Sequence, residues 1–247
     1  MSRTAFRAVF LDFGGTLFSY RRMDQPTVAL LRRAVERLGI EVDVPKAIQA
    51  WRAANREAWR AYMHRPFYLH RDLFRAGFEG FARELGAEAS AEFLEWFHEE
   101  QRQLVIDHME LRRGCVETLQ ELGEAGLHVG VVSNIDEDYL RPMLVRAGLG
   151  PRVHSSTSSE EARSCKPDLR IFQYSLEKAG VDAAATLFVG DSPEADVLGG
   201  SRAGMSTVLI EEDGFPPPGT GAGPTAEPDH VIRELPELLP IVRGTES

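Results

Sequence analysis

Three things are scarce in this chain, and each scarcity excludes something. Cysteine occurs twice in 247 residues, at Cys115 and Cys165. Their flanks are unlike and no Cys-x-x-Cys spacing exists, the pattern of two free thiols in a reducing compartment rather than of a bridge or a thiolate metal site. Basic charge is also short: 28 Lys and Arg stand against 38 Asp and Glu, a formal net charge of −10. Long-range attraction to a phosphate backbone or an anionic lipid surface needs the opposite sign, so neither nucleic acid nor a membrane is an expected partner. A small phosphorylated molecule is not excluded, because a metal or a few local cations can reverse the sign inside a pocket. Long apolar runs are missing as well. The N-terminal run ends at Asp12, too short for the core of a signal peptide, and no stretch reaches the roughly 20 apolar residues of a membrane helix. The expectation is a soluble, cytoplasmic protein.

What is present is enough apolar residue (43%) to build a core, at a length that suits one large α/β domain or a core with a smaller companion. Residues 7–13 form a continuous apolar run closed by Gly14 and Gly15, which reads as a strand buried on both faces. From about 25 to 107 the period changes to that of helices. Val28, Leu31, Val35 and Leu38 come first, then Ile48, Trp51, Trp59 and Tyr62, then Phe74, Phe78, Phe81 and Leu85, then Phe93, Trp96 and Phe97. Four amphipathic helices in a row are predicted, with the aromatic stripes as their shared core. After residue 110 strands and helices alternate. Strands are expected at 127–132, near 152–157, at 186–189, at 207–210 and near 229–232, with helices at about 116–125, 137–147, 169–179 and 195–203 and a terminal turn near 235–242. Residues 213–228, dense in Gly and Pro, read as a loop.

That alternation predicts an α/β fold, a doubly wound parallel sheet with helices on both faces, interrupted by an inserted α-helical block. The boundaries expected are 1–18 and 109–247 for the α/β core and 19–108 for the helical insert.

Ligands of such sheets collect at the carboxyl ends of the strands, and those ends carry reactive side chains here. The first strand leads into Asp12-Phe13-Gly14-Gly15-Thr16, the second into Ser133-Asn134, and a later one into Gly190-Asp191-Ser192. Lys166, in a Cys-Lys-Pro loop, can reach the same rim. Two carboxylates, a hydroxyl and an ammonium around one point suit a magnesium ion and a transferable phosphoryl group, since Mg²⁺ takes few carboxylates plus substrate oxygens and Lys serves as a point charge on phosphate.

In this order, Asp12-x-x-Gly15-Thr16, Ser133-Asn134, Lys166-Pro167 and Gly190-Asp191-Ser192-Pro193-Glu194-Ala195-Asp196 resemble the four motifs of the haloacid dehalogenase-like (HAD) hydrolase superfamily. The helical insert between the first two motifs resembles its C1 cap. The resemblance implies a phosphatase of a small phosphorylated metabolite with Mg²⁺ as cofactor. Asp12 would be the nucleophile that forms an aspartyl-phosphate, and Lys166 would stabilise its charge and the phosphoryl group. Thr16 and Ser133 would bond the nucleophile or the phosphoryl oxygens, with Asn134 beside them. Asp12, the backbone carbonyl of Gly14 and Asp191 would hold the metal, with Ser192 and Asp196 supporting them.

One position departs from the family pattern. A second aspartate usually stands two residues after the nucleophile, where this chain has Gly14. Glycine still offers a carbonyl to a metal but no side chain to protonate a leaving alkoxide, help that is typically worth ~10²–10⁴-fold. Four expectations follow. Another residue supplies the proton, with His64, His70, Asp72 and Glu194 as candidates; or the substrate leaves easily and needs none. Alternatively the reaction is another of the family's, phosphonate hydrolysis before dehalogenation, or the chain binds without turnover. Tyr20, Arg21 and Arg22, just after the first strand, are placed either to meet an anion or to sit in solvent.

Overall fold

The structure, a computed structural model, describes residues 6–212 and 224–244. In chain order it contains β1 (Ala8–Leu11), β2 (Phe18–Ser19), α1 (Asp24–Leu38), α2 (Val44–Tyr62), α3 (His70–Glu84), α4 (Ala91–His108) and β3 (Glu110–Leu111). There follow α5 (Cys115–Glu124), β4 (His128–Ser133), α6 (Glu137–Arg146), β5 (Ser155–Ser158), α7 (Ser159–Ala162), α8 (Leu169–Ala179) and β6 (Thr186–Gly190). A π-helical turn, Pro193–Leu198, runs into α9 (Gly199–Arg202), and β7 (Ser206–Ile210), β8 (His230–Ile232) and α10 (Leu238–Arg243) complete the order. The Gly- and Pro-rich stretch 213–228 lies largely outside the described residues. Among those described, no helix is long and apolar enough to cross a membrane.

The described chain divides into two compact units, one formed by Arg21–Met109 and the other by the residues on either side of it. The larger unit is a six-stranded parallel sheet in the order β5-β4-β1-β6-β7-β8. All four residues of β1 are buried, as a central parallel strand covered on both faces requires. Leu11 lies opposite Val131 of β4 on one side and Val189 of β6 on the other. The chain therefore winds outward from β1 to β5, returns to the far side of β1 and winds out again, and the order reverses beside β1. Helix α8 starts on an Asp168 cap and stops at left-handed Gly180. It lays Ile171 and Phe172 onto Phe10, Val132 and Phe188 of the sheet.

A two-stranded ribbon pairs Phe18 with Leu111 and Ser19 with Glu110, an element too short to show any period in the sequence. A second difference lies after β6. The expected helix 195–203 is split, its first part wound as a π turn in which Asp196 is buried, a winding frequent at functional sites.

The smaller unit holds α1 to α4. Helix α2 begins at Asp43, whose carboxylate caps the Lys46 N–H at 2.9 Å, and α4 begins at Ser90, whose hydroxyl caps the Phe93 N–H at 3.1 Å. The aromatic stripes converge: Phe78 and Phe97 are 4.3 Å apart between ring centres, and Trp51 stacks on Phe78 at 5.7 Å. Each such ring contributes about 1.5–3 kcal/mol when fully buried.

Candidate active site

Asp12 follows directly on the last residue of β1, and its N–H donates to the Val189 carbonyl of the neighbouring strand at 2.9 Å. The side chain is buried, and its Oδ1 accepts two hydrogen bonds, from Ser133 Oγ at 2.9 Å and from Lys166 Nζ at 2.7 Å. Oδ2 makes none among the described residues. Ser133 is the last residue of β4, so two adjacent parallel strands deliver the pair to one edge.

Lys166 donates a second bond to Asp196 Oδ1 at 2.6 Å. Asp196 Oδ2 in turn accepts from the Ser192 N–H at 2.9 Å, while Ser192 Oγ caps the turn by accepting from the Ala195 N–H. Burial acts most strongly on Lys166 and would strip its proton, but Asp12 and Asp196 outweigh it and raise the ammonium pKa. Burial pushes the Asp196 carboxyl up to about 6, against the pull of Lys166 and with a push from Asp12. Asp191 is raised well above the usual carboxylate range by burial, then by Asp12 and Asp196.

The carboxylates of Asp12, Asp191 and Asp196 each offer an oxygen within 4.8 Å of the others. Three acids against one ammonium leave a surplus of negative charge in a buried site, which a divalent cation at this cluster would neutralise. The donor set, hard oxygens with no sulfur or imidazole, fits such an ion. Gly15 turns the loop at φ +78°, and any Cβ there would overlap the Asp191 carboxylate, so the loop and that carboxylate are packed together. Arg112, which sequence patterning did not single out, clamps the same loop. Its guanidinium donates to the Gly15 carbonyl at 2.7 Å and to the carbonyls of Glu211 and Arg233. No signal could have found it, since its partners lie about a hundred residues away.

Two expected ligand-binding residues differ in how their polar atoms are engaged. Asn134 spends both ends of its amide on the Lys166 backbone, accepting from its N–H at 2.7 Å and donating to its carbonyl at 2.9 Å. Thr16 is fully buried and its hydroxyl has no hydrogen-bond partner among the described residues. An orphaned buried hydroxyl in the loop that follows Asp12 is the kind of group a bound anion satisfies.

Of the candidate proton sources, Glu194 is half-buried in the π turn after Asp191. Within the smaller unit His64 and Asp72 are exposed, and His70 is buried against the rings of Trp59, Tyr68 and Phe74. Tyr20 closes the larger unit beyond β2. Its ring meets Phe18 edge-on at 4.9 Å, and its phenol is raised well above its ordinary pKa by burial and then by Asp191, Asp12 and Asp196.

A parallel sheet that brings a hydrogen-bonded aspartate, a buried lysine and two further carboxylates to its carboxyl edge is the arrangement of a hydrolase built on a doubly wound α/β core. Residues 6–204 match the model of the haloacid dehalogenase-like hydrolases, and the chain belongs to that family. It is 28% identical over 250 residues to the ribulose-1,5-bisphosphate 5-phosphatase of Halopiger xanaduensis, covering 95% of this chain and 98% of that protein. It is 31% identical over 140 residues to the glyceraldehyde 3-phosphate phosphatase of Methanocaldococcus jannaschii, spanning 53% of this chain and 56% of that one. In fold it resembles the HAD hydrolase YfnB of Bacillus subtilis, with a TM-score of 0.77 at 23% identity over 97% of this chain and 99% of that one.

Proposed function

We propose that this protein is a Mg²⁺-dependent phosphatase of a small phosphorylated metabolite, acting through an aspartyl-phosphate on Asp12. The observation that carries the reading is the asymmetry of Asp12. Its Oδ1 is held by Ser133 and Lys166, and its Oδ2 is left without a hydrogen bond. Oδ2 attacks phosphorus, the bond from phosphorus to the leaving oxygen breaks, and that oxygen takes a proton. Water then attacks the acyl phosphate, releasing inorganic phosphate and restoring the carboxylate. Lys166 stabilises the charge that shifts among these oxygens, Asp196 holds Lys166 in place, and Thr16 gives its orphaned hydroxyl to the phosphoryl group. Asp12, Asp191 and the Gly14 carbonyl would hold a magnesium ion, which when bound would supply charge neutralisation and orientation of the phosphoryl oxygens. The inserted helices, over 19–108, serve as a C1-type cap. The two phosphatase relatives, named for small phosphorylated molecules, support the substrate class.

Phosphate release over a panel of phosphorylated metabolites, with and without Mg²⁺, tests the reading. Release by the wild type with Mg²⁺ and its loss in Asp12→Asn are expected; release that persists in Asp12→Asn overturns the covalent route. Gly14 favours one competing reading, a member that binds its ligand without turnover. That reading predicts no phosphate from any substrate even at high protein concentration.

A further inference from the structure

The missing side chain at position 14 leaves a question that the phosphatase reading does not answer: which group gives the leaving oxygen its proton. A Cβ built on Gly14 would overlap the Tyr20 hydroxyl oxygen and stand 3.3 Å from Tyr20 Cζ and 3.4 Å from Phe18 Cε1. The first atom of any side chain at position 14 would therefore collide with the Tyr20 hydroxyl. A Cβ on Gly15 would likewise stand 3.3 Å from Tyr20 Cε2 while overlapping the Asp191 carboxylate. The ring thus lies along the Gly14-Gly15 backbone, beside the carboxylate cluster.

The ring is held there. Phe18 packs against it edge-on and against Phe13 at 5.5 Å. The ribbon that carries it is tied down by its pairing with β3 and by Ser19 Oγ donating to Glu212 Oε1 at 2.7 Å. The Arg112 N–H, donating to the Leu17 carbonyl at 2.8 Å, anchors the turn before it. Yet the hydroxyl itself makes no hydrogen bond among the described residues. A held phenol with an uncommitted O–H, against the position the absent side chain would start from, is a donor available to a ligand.

We propose that Tyr20 Oη takes over the work of the absent residue-14 side chain and donates its proton to the leaving oxygen of the substrate. The inference rests on the phosphatase reading. In the first half-reaction the Tyr20 O–H bond breaks, the proton goes to the leaving oxygen as its bond to phosphorus breaks, and a phenolate remains. In the second, the water that attacks the aspartyl-phosphate gives its proton to that phenolate. Asp12 and Tyr20 are both restored, and the sum is phosphate ester plus water to alcohol plus phosphate.

The test compares leaving groups. The wild type and Tyr20→Phe are assayed with an alkyl phosphate, whose leaving alkoxide needs a proton, and with p-nitrophenyl phosphate, whose leaving group does not. Tyr20→Phe is expected to lose kcat on the alkyl ester by ~10²-fold or more and to change less than about threefold on the aryl ester. The same loss on both, or no loss on either, overturns the proposal and leaves the phosphatase reading standing. No phosphate from either ester with the wild type overturns both.

A second variant pair guards against misfolding. Gly14→Asp alone should be poorly active, because its side chain meets the Tyr20 hydroxyl. Combined with Tyr20→Phe, which removes that oxygen, it should recover alkyl-ester turnover at least tenfold over Tyr20→Phe alone. A fully active Gly14→Asp single variant would show that the two groups do not share one space, and would overturn the proposal.

Discussion

Asn134 grips Lys166 by its backbone, receiving the lysine N–H on Oδ1 and returning an N–H to the lysine carbonyl from Nδ2. The cradle fixes where the chain of Lys166 starts, 32 residues away in sequence, so that Nζ can end between Asp12 and Asp196. In a site where one misplaced ångström is costly, such a cradle is a means of positioning the lysine.

Asn134→Ala should therefore lower kcat by roughly 10–100-fold while changing KM little, with a stability loss of about 1–3 kcal/mol for the unpaired backbone groups. Steady-state kinetics and urea unfolding measure both. A rise in KM with kcat unchanged would instead mean that Asn134 binds substrate directly.

Lys166 pairs with two members of a cluster of three acids, at 2.7 Å to Asp12 and 2.6 Å to Asp196. Its removal in Lys166→Met should abolish turnover and destabilise the metal-free protein by about 3–5 kcal/mol, as breaking a buried ion pair does. Asp12→Asn should do the reverse to stability, keeping an oxygen for Ser133 and Lys166 while removing one repelling charge. Calorimetry of the two variants without metal should place their Tm values on opposite sides of the wild type.

The raised Asp196 pKa, about 6 against 3.8 for an ordinary aspartate, has a definite sign. Between those values the folded state holds the proton and the unfolded state has released it. This contribution to stability is present below about pH 4 and is lost as pH rises through about 6. A divalent ion needs the ionised carboxylates, so the gain in Tm on adding Mg²⁺ should be larger at pH 8 than at pH 5. Thermal scans at the two values with and without chelator check it; an equal gain at both would place the ion elsewhere.

Cys115 is buried on α5, and burial, with Glu117, pushes its thiol up to about 12. The folded protein should leave it unmodified by a thiol reagent at pH 8 and react only on unfolding. Because the folded pKa exceeds the ordinary value of 9.0, this thiol also favours the fold below pH 9 and ceases to do so as pH climbs toward 12.

In the helical unit, Phe97 packs against Trp51, Phe78, Phe81, Phe93 and Trp96. Phe97→Ala should cost about 3–5 kcal/mol through the cavity it leaves, read by chemical denaturation.

Much of the architecture was legible because it depends on period. A parallel strand buried on both faces must be a continuous apolar run, as at residues 8–11, and an amphipathic helix must repeat its apolar residues, as at Phe74, Phe78 and Phe81. The ordered polar residues after those runs, Asp12, Ser133 and Asp191, follow from the same rule, since a parallel sheet puts them on one edge. The π turn was not legible, because a single residue's change of winding leaves no period to detect.

The sequence by itself determined which residues are chemically able to act here, and that position 14 offers a carbonyl and nothing more. Only the tertiary structure decided how those groups are arranged. Asn134 and Arg112 hold backbone that lies far along the chain, Thr16 is left with an unsatisfied hydroxyl, and Tyr20 fills the space that Gly14 vacates. The reason is physical. Periodicity reports which face of an element is buried, whereas a hydrogen bond or a shared volume depends on distances of a few ångströms between segments that only folding brings together.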